Sequence, residues 1–246
     1  MAKQGEIDYI AKIGPSGAAH AQGKPFSDPG CGGMLVDIGS LFMVLPAPPA
    51  RVLDLGCGSG WTSALLARRG YQVVGQDIAP DMIALARGNL AAVGAGSLEF
   101  VVSDYESLTF RDEFDAALFY DALHHAQDPL AALAGAYRAL KLGGMLVTLE
   151  PGSGHAHTEA AKHAVSQYDV TERDMPPRTV VALAREVGFR SARVHPMPKS
   201  LASIQYQLPR LERWPAWLSD LARWCGAGWL GLIARRRRGG MVVLRK

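Results

Sequence analysis

The stretch from Val52 to Thr62, Val-Leu-Asp-Leu-Gly-Cys-Gly-Ser-Gly-Trp-Thr, constrains the fold more than any other part of the chain. Arg51 to Leu55 is a short apolar run of the kind that forms a buried parallel strand. It passes straight into Gly56, Gly58 and Gly60, and then into a helix-compatible segment from Trp61 to Arg69. Glycine there lets the backbone turn sharply and lets a ligand approach the main chain with no Cβ in the way. A helix that starts at such a turn aims free N–H groups at the ligand. The spacing Gly-x-Gly-x-Gly is one residue shorter than the dinucleotide fingerprint, and Asp54 stands just ahead of it. A carboxylate there repels a pyrophosphate but suits a cationic ligand, such as an α-amino group or a sulfonium.

An ordered series follows. Tyr71 to Gln76 reads as a second apolar strand ending at Asp77, near the roughly 20-residue offset at which an acid can take a ribose diol. Phe100-Val101-Val102-Ser103-Asp104-Tyr105 is a third strand that ends in an acid beside an aromatic. Phe114 to His125, Phe-Asp-Ala-Ala-Leu-Phe-Tyr-Asp-Ala-Leu-His-His, leads into Asp128-Pro129 and a helix. Leu140 to Pro151, Leu-Lys-Leu-Gly-Gly-Met-Leu-Val-Thr-Leu-Glu-Pro, closes the series.

Taken in this order, these motifs resemble the class I S-adenosylmethionine (SAM)-dependent methyltransferases. The resemblance is close over about residues 50–151 and looser over 175–196. Leu142 departs from the family's Lys-Pro-Gly-Gly turn, which alters the turn rather than the chemistry. The resemblance implies a Rossmann-like α/β fold, a doubly wound, seven-stranded, mostly parallel sheet with an antiparallel C-terminal strand.

Strand–helix alternation in the chain agrees with such a sheet. Strands are expected at 51–55, 72–76, 99–102, 115–119, 144–150, 190–195 and 241–245, and helices at 60–69, 80–92, 128–140 and 177–187. The last of these helices opens at Pro176-Pro177 and closes at Gly188. Ligands bind at the carboxyl ends of strands in such folds. Asp54, Gly56, Asp77, Asp104, Tyr120, Asp121 and Glu150 all fall at those ends, on one rim.

The rest of the chain divides around this core. Residues 1–49 are expected to hold N-terminal helices, the second at about Met34–Leu45, and a turn-rich loop over 14–33. That loop reads either as a lid over the cofactor mouth or as a solvated linker. Residues 50–196 form the SAM-binding core, 197–238 a tryptophan-rich helical insertion, and 239–246 the last strand of the sheet. In the insertion, Trp214, Trp217, Leu221 and Trp224 recur at helical steps, Gly226 and Gly228 interrupt the pattern, and Arg235 to Arg238 follow. Residues 214–238 read either as a peripheral contact with the inner face of a membrane or as a helix packed on the sheet or against a second copy. Asp220 and Arg223 argue against a membrane span.

Composition narrows the classes. The chain has 246 residues, 48% of them apolar, enough for one large α/β domain with additions. A net charge of +3 does not by itself point to nucleic acid, and there is no Asn-Pro-Pro-Tyr-type motif for a flipped base. Three cysteines without a Cys-x-x-Cys pair, and an N-terminus without an apolar signal core, point to a reducing cytoplasm.

The resemblance also implies roles, residue by residue. Gly56, Cys57, Gly58 and Gly60 would face the cofactor, and Asp54 would orient its amino group directly or through water. Asp77 would accept both ribose hydroxyls. Ile78 and Met82 would offer apolar surface to the adenine, Asp104 would take its exocyclic amine with Tyr105 beside it, and Tyr120, at its strand end, is a further cofactor-binding candidate. Asp81 and Asp128 open helices and read as caps. For the acceptor half, a hydroxyl needs a base as the methyl arrives. His155, on the glycine-flanked loop after Glu150, is the first candidate, with His125 and Asp121 beside it. His155, His157 and Glu150 are metal-ligand types, but their spacing matches no familiar set, and no metal is expected.

The sequence therefore reads as a SAM-dependent methyltransferase acting on a small molecule or glycan, at oxygen, with a histidine base. Two other readings stay open: methylation of a membrane lipid or lipid-linked saccharide, and a SAM-binding regulatory protein without turnover. The Gly-x-Gly-x-Gly turn after Asp54 disfavours a nicotinamide dehydrogenase.

Overall fold

A computed structural model of the chain describes residues 2–88, 98–207, 216–234 and 239–246. Its centre is a seven-stranded sheet in the order β3-β2-β1-β4-β5-β7-β6. The strands are β1 (Arg51–Leu55), β2 (Gln72–Asp77), β3 (Leu98–Val102), β4 (Phe114–Tyr120), β5 (Leu140–Glu150), β6 (Ser191–Pro196) and β7 (Gly240–Arg245). The first five pair in parallel, whereas β7 runs antiparallel to both β5 and β6. This is the doubly wound architecture expected from the alternation of strand and helix.

Helices cover both faces because the central strands are apolar on both sides. Val52, Val73, Leu118 and Val147 pack on one face with Leu41 and Leu66. Leu53, Ala117, Phe119 and Leu146 pack on the other with Leu133 and Val180. Neighbouring residues of one strand thus serve opposite layers, as the two-residue period of a strand requires. The helices of the core are α4 (Trp61–Arg68), α5 (Pro80–Gly88), α6 (Pro129–Ala139) and α8 (Pro177–Val187), with α7 (Glu159–Tyr168) before α8. Asp128 caps α6, its carboxylate accepting the Ala131 N–H at 3.0 Å. Asp81 lies within the first turn of α5 rather than at its cap. There it still favours the positive helix end. The expected end of α5 at 89–92 lies outside the described residues.

Three expectations are corrected. Residues 14–23, expected as part of an irregular loop, are helical: α1 (Ala2–Ile7) is followed by α2 (Tyr9–Gly23), then α3 (Cys31–Val44). Gly14 breaks α2 with φ 69°, and Pro15 restarts it, so the turn formers kink the helix rather than dissolve it. Secondly, β5 begins at Leu140, four residues early, and takes up Lys141 to Gly143 as an exposed extension. Thirdly, Gly226 and Gly228 do not interrupt the last helix, which runs through as α10 (Ala216–Ala234) after α9 (Pro198–Tyr206). Each glycine costs a helix only about 1 kcal/mol, and no proline stops it.

α10 packs against α9 and β6. Leu230 is buried, whereas Trp217, Trp224 and Trp229 are all more than 60% exposed, so the tryptophans do not cover the sheet. Trp214 and Arg235 to Arg238 lie outside the described residues. Among the described residues, no helix is long and apolar enough to cross a membrane.

Candidate functional site

A cavity of about 310 Å³ opens at the carboxyl ends of the parallel strands. Its floor is the glycine loop after β1, where Gly56, Cys57, Gly58 and Ser59 contribute. The glycines do different work. A Cβ on Gly56 would meet the Ala122 side chain at 2.7 Å, and one on Gly60 would meet Phe100 at 2.5 Å. Those two positions are closed by packing. A Cβ on Gly58 would meet nothing within 4 Å, so its face is left to the cavity.

Buried carboxylates hold the loop in shape. Asp54 accepts hydrogen bonds from the Thr62 and Ser63 hydroxyls, the latter at 2.6 Å. It tethers the start of α4 to β1. Asp77 accepts the Gly58 N–H at 2.8 Å through one oxygen and the Ala79 N–H at 2.9 Å through the other. Burial raises the pKa of both acids, against the pull of those hydrogen bonds. Burial likewise pushes the Cys57 thiol well up, aided by Asp54 and Asp77, so Cys57 is an inert apolar wall.

Beyond the loop, Ile78 and Met82 give the cavity an apolar side, and Tyr105, Tyr120 and Trp61 an aromatic one. Trp61 meets Tyr120 edge to face at 5.4 Å. The Tyr120 hydroxyl donates to Asp37 at 3.1 Å, and Asp37 also accepts the Lys199 N–H at 2.9 Å. Asp37 is fully buried, and burial raises its pKa despite Lys199 nearby.

The opposite wall is a cluster of histidines and glutamates. Glu150 ends β5 and is buried, accepting the N–H groups of Ala122, Leu123 and His124 and contacting His124 Nδ1 at 2.8 Å. It thereby fixes the short turn Leu123–His125 after β4. His125 Nδ1 lies 2.7 Å from the Thr171 carbonyl and 3.5 Å from Glu6. Glu172 stands between His155 Nε2 at 2.7 Å and His124 Nε2 at 3.5 Å. Burial would lower the His125 pKa, but Glu6, Glu172 and the Thr171 carbonyl outweigh it and raise it to about 9.

The N-terminal helices roof this wall. Glu6 and Tyr9 line the cavity, and Glu6 accepts the Thr171 N–H at 2.8 Å. Lys3 bridges Asp104 and Glu106.

Comparison with known proteins finds a methyltransferase domain in the middle of the chain. Residues 53–148 match the methyltransferase domain family. Over 101 residues the chain is 38% identical to a ubiquinone biosynthesis O-methyltransferase of Xanthomonas campestris pv. campestris, covering 40% of this chain and 42% of that protein. Residues 53–148 thus carry a methyltransferase domain, in keeping with the class I SAM-dependent methyltransferases. The chain spans less than half the length of the curated relatives it matches. Phosphoethanolamine N-methyltransferase 2 of Haemonchus contortus, solved with SAM, superposes with a TM-score of 0.68 at 21% identity, over 100% of this chain and 60% of that one. A SAM-dependent methyltransferase from Mesorhizobium loti gives 0.61 at 20% identity, over 86% and 98%. At that identity these two structures show the fold alone.

Within this methyltransferase fold, most residues singled out in the sequence do come together. Gly56, Cys57, Gly58, Asp77, Ile78, Met82, Tyr105, Tyr120, Asp121 and His125 all line the cavity. Four do not. Asp54 is sealed behind the loop by Thr62 and Ser63, so no direct contact with a ligand is arranged. Gly60 is packed on Phe100. Asp104 is engaged by Lys3 and the Glu106 N–H instead of facing the cavity. His155 sits one layer back, reaching the cavity through Glu172. Sequence reasoning missed Glu6, Tyr9, Asp37 and Trp61, and placed Glu172 only within a segment, Tyr168–Pro177, read as framing the acceptor pocket. Only Trp61 carried a local signal, its place directly after the glycine loop.

Proposed function

We propose that this chain transfers a methyl group from SAM to a hydroxyl of a small-molecule acceptor. One observation carries the reading: a single cavity joins the glycine loop and Asp77 at one end to the His125–Glu172 wall at the other. The loop end suits the cofactor. Asp77 accepts the ribose hydroxyls, Gly58 leaves room for the chain beside them, and Ile78, Met82 and Tyr105 surround the adenine. Glu6, Asp77, Asp121 and Glu172 make the cavity acidic, which favours a cationic sulfonium over its neutral product.

At the other end, the acceptor oxygen attacks the methyl carbon while the carbon–sulfur bond breaks and its electron pair stays on sulfur. Alignment of donor and acceptor at about 3 Å supplies much of the acceleration. The hydroxyl proton passes to the His125–Glu172–His155 cluster, in which Glu172 lies 2.7 Å from His155 Nε2. The named O-methyltransferase relatives support oxygen as the methylated atom.

The test is transfer of labelled methyl from SAM into a host extract, separated into lipid, small-molecule and polymer fractions. Label in the small-molecule fraction above a Gly58→Arg control supports the reading. SAM binding with label in no fraction would favour a non-catalytic role.

A second reading, a lipid-borne acceptor, is favoured by the outward tryptophans Trp217, Trp224 and Trp229 of α10. Label in the lipid fraction, with flotation of the protein on anionic vesicles, would select it.

A further inference from the structure

His124 and His125 are consecutive, and their rings lie 4.0 Å apart. Each Nδ1 is already matched to an oxygen, Glu150 at 2.8 Å for His124 and the Thr171 carbonyl at 2.7 Å for His125. A neutral imidazole that gives its Nδ1–H to such an oxygen carries its lone pair on Nε2, the arrangement found behind metal-bound histidines, and an ion would displace the proton from Nε2 of a charged ring. His124 Nε2 is 3.5 Å from the Glu172 carboxylate. Two ligands of one tetrahedral ion, each bonded at about 2.1 Å, stand about 3.4 Å apart. A ring nitrogen of each histidine and an oxygen of Glu172 all fall within 4.8 Å of one another.

Charge points the same way. Glu6, Glu150 and Glu172 converge on these rings, with Glu150 buried and Glu172 nearly so. Buried carboxylates need compensating positive charge, and protons or a cation can provide it.

We propose that His124, His125 and Glu172 form a binding site for a divalent transition-metal ion of the Zn²⁺ type, with its open position facing the cavity. Two imidazoles and one carboxylate with an open position are a familiar catalytic donor set. His155, 2.7 Å from Glu172, steadies the carboxylate from behind. The proposal rests on the cavity being the methyl-transfer site. With His125 and Glu172 engaged as ligands they no longer take the proton; an acceptor hydroxyl bound to the ion would instead lose it to solvent water. Its oxygen would then attack the methyl carbon as above, the carbon–sulfur electron pair going to sulfur.

The test uses the full chain, stripped with a chelator and titrated with Zn²⁺ by calorimetry and with Co²⁺ by visible absorption. Glu172→Gln and His125→Asn are titrated beside it, with circular dichroism to confirm that both fold. A His20→Asn, His163→Asn double variant, altered at histidines outside the cluster, serves as a further reference. The proposal expects one ion per chain, a tetrahedral Co²⁺ spectrum, and at least a tenfold loss of affinity in each cluster variant but not in the reference. Absence of Zn²⁺ binding would overturn it, as would equal affinity in wild type and both cluster variants. SAM titrated into the same samples separates the two readings. SAM binding without Zn²⁺ binding removes the metal and leaves the methyltransferase reading intact, whereas Zn²⁺ binding without SAM binding does the reverse.

Discussion

The backbone N–H of Gly58 donates to the Asp77 carboxylate at 2.8 Å, joining the glycine loop after β1 to the end of β2. Asp77 therefore shapes the loop as well as lining the cavity. Asp77→Ala is expected to weaken SAM binding at least tenfold, since hydrogen bonds to a charged group are worth about 1.5–3 kcal/mol. Asp77→Asn, which keeps an acceptor for Gly58, should lose less. Calorimetric SAM titration of both variants checks the order.

Gly60 illustrates packing rather than ligand contact. It has φ 74°, and a Cβ there would lie 2.5 Å from the Phe100 ring. Gly60→Ala should destabilise the fold by about 1–3 kcal/mol through overpacking and left-handed strain. Urea unfolding measures this, and an unchanged midpoint would contradict the packing argument.

Asp37 makes stability depend on pH. Burial raises its pKa above the ordinary carboxylate range, although Lys199 on α9 and Tyr120 on β4 oppose the rise. A raised carboxylate is best accommodated when protonated, so its contribution is full at acid pH and is lost as pH rises through its folded value. Asp37→Asn is therefore expected to melt higher than wild type at about pH 8, with the gap closing toward about pH 4. Thermal melts across that range provide the check, and a gap that widens on acidification would contradict the assignment.

The last helix offers a test of orientation. Leu230 is 4% exposed and Trp224 72%. Leu230→Ala should cost about 2–4 kcal/mol, whereas Trp224→Ser should stay within about 0.5 kcal/mol. Reversal of that order would mean that α10 turns its tryptophans inward.

The sheet was legible because its strands are apolar on both faces and end in glycine or acid, as at Leu55-Gly56 and Gln76-Asp77. These are local signals that tertiary packing reinforces. The acids were less legible as ligand groups. Asp54 and Asp104 stand at strand ends, yet Thr62 and Ser63 take one and Lys3 and Glu106 the other. The segment Tyr168–Pro177 could be read as framing an acceptor pocket, without Glu172 being singled out in it, whereas Glu6 and Tyr9 were not legible at all. Glu6 and Tyr9 reach the cavity only because α1 and α2 fold over its mouth, and no local pattern reports such a long-range arrangement. The same holds for the outward tryptophans. Helical spacing shows that Trp217, Leu221 and Trp224 share a face, but not whether that face is covered.

The central claim is that the cavity above Gly58 is a SAM site. The most direct measurement is calorimetric titration of SAM into the wild type and into Gly58→Arg, which places a cationic side chain where the cavity leaves open space. The account predicts saturable binding by the wild type and none by the variant, with both folded by circular dichroism. Absence of binding by the wild type, or equal binding by the two, would contradict it.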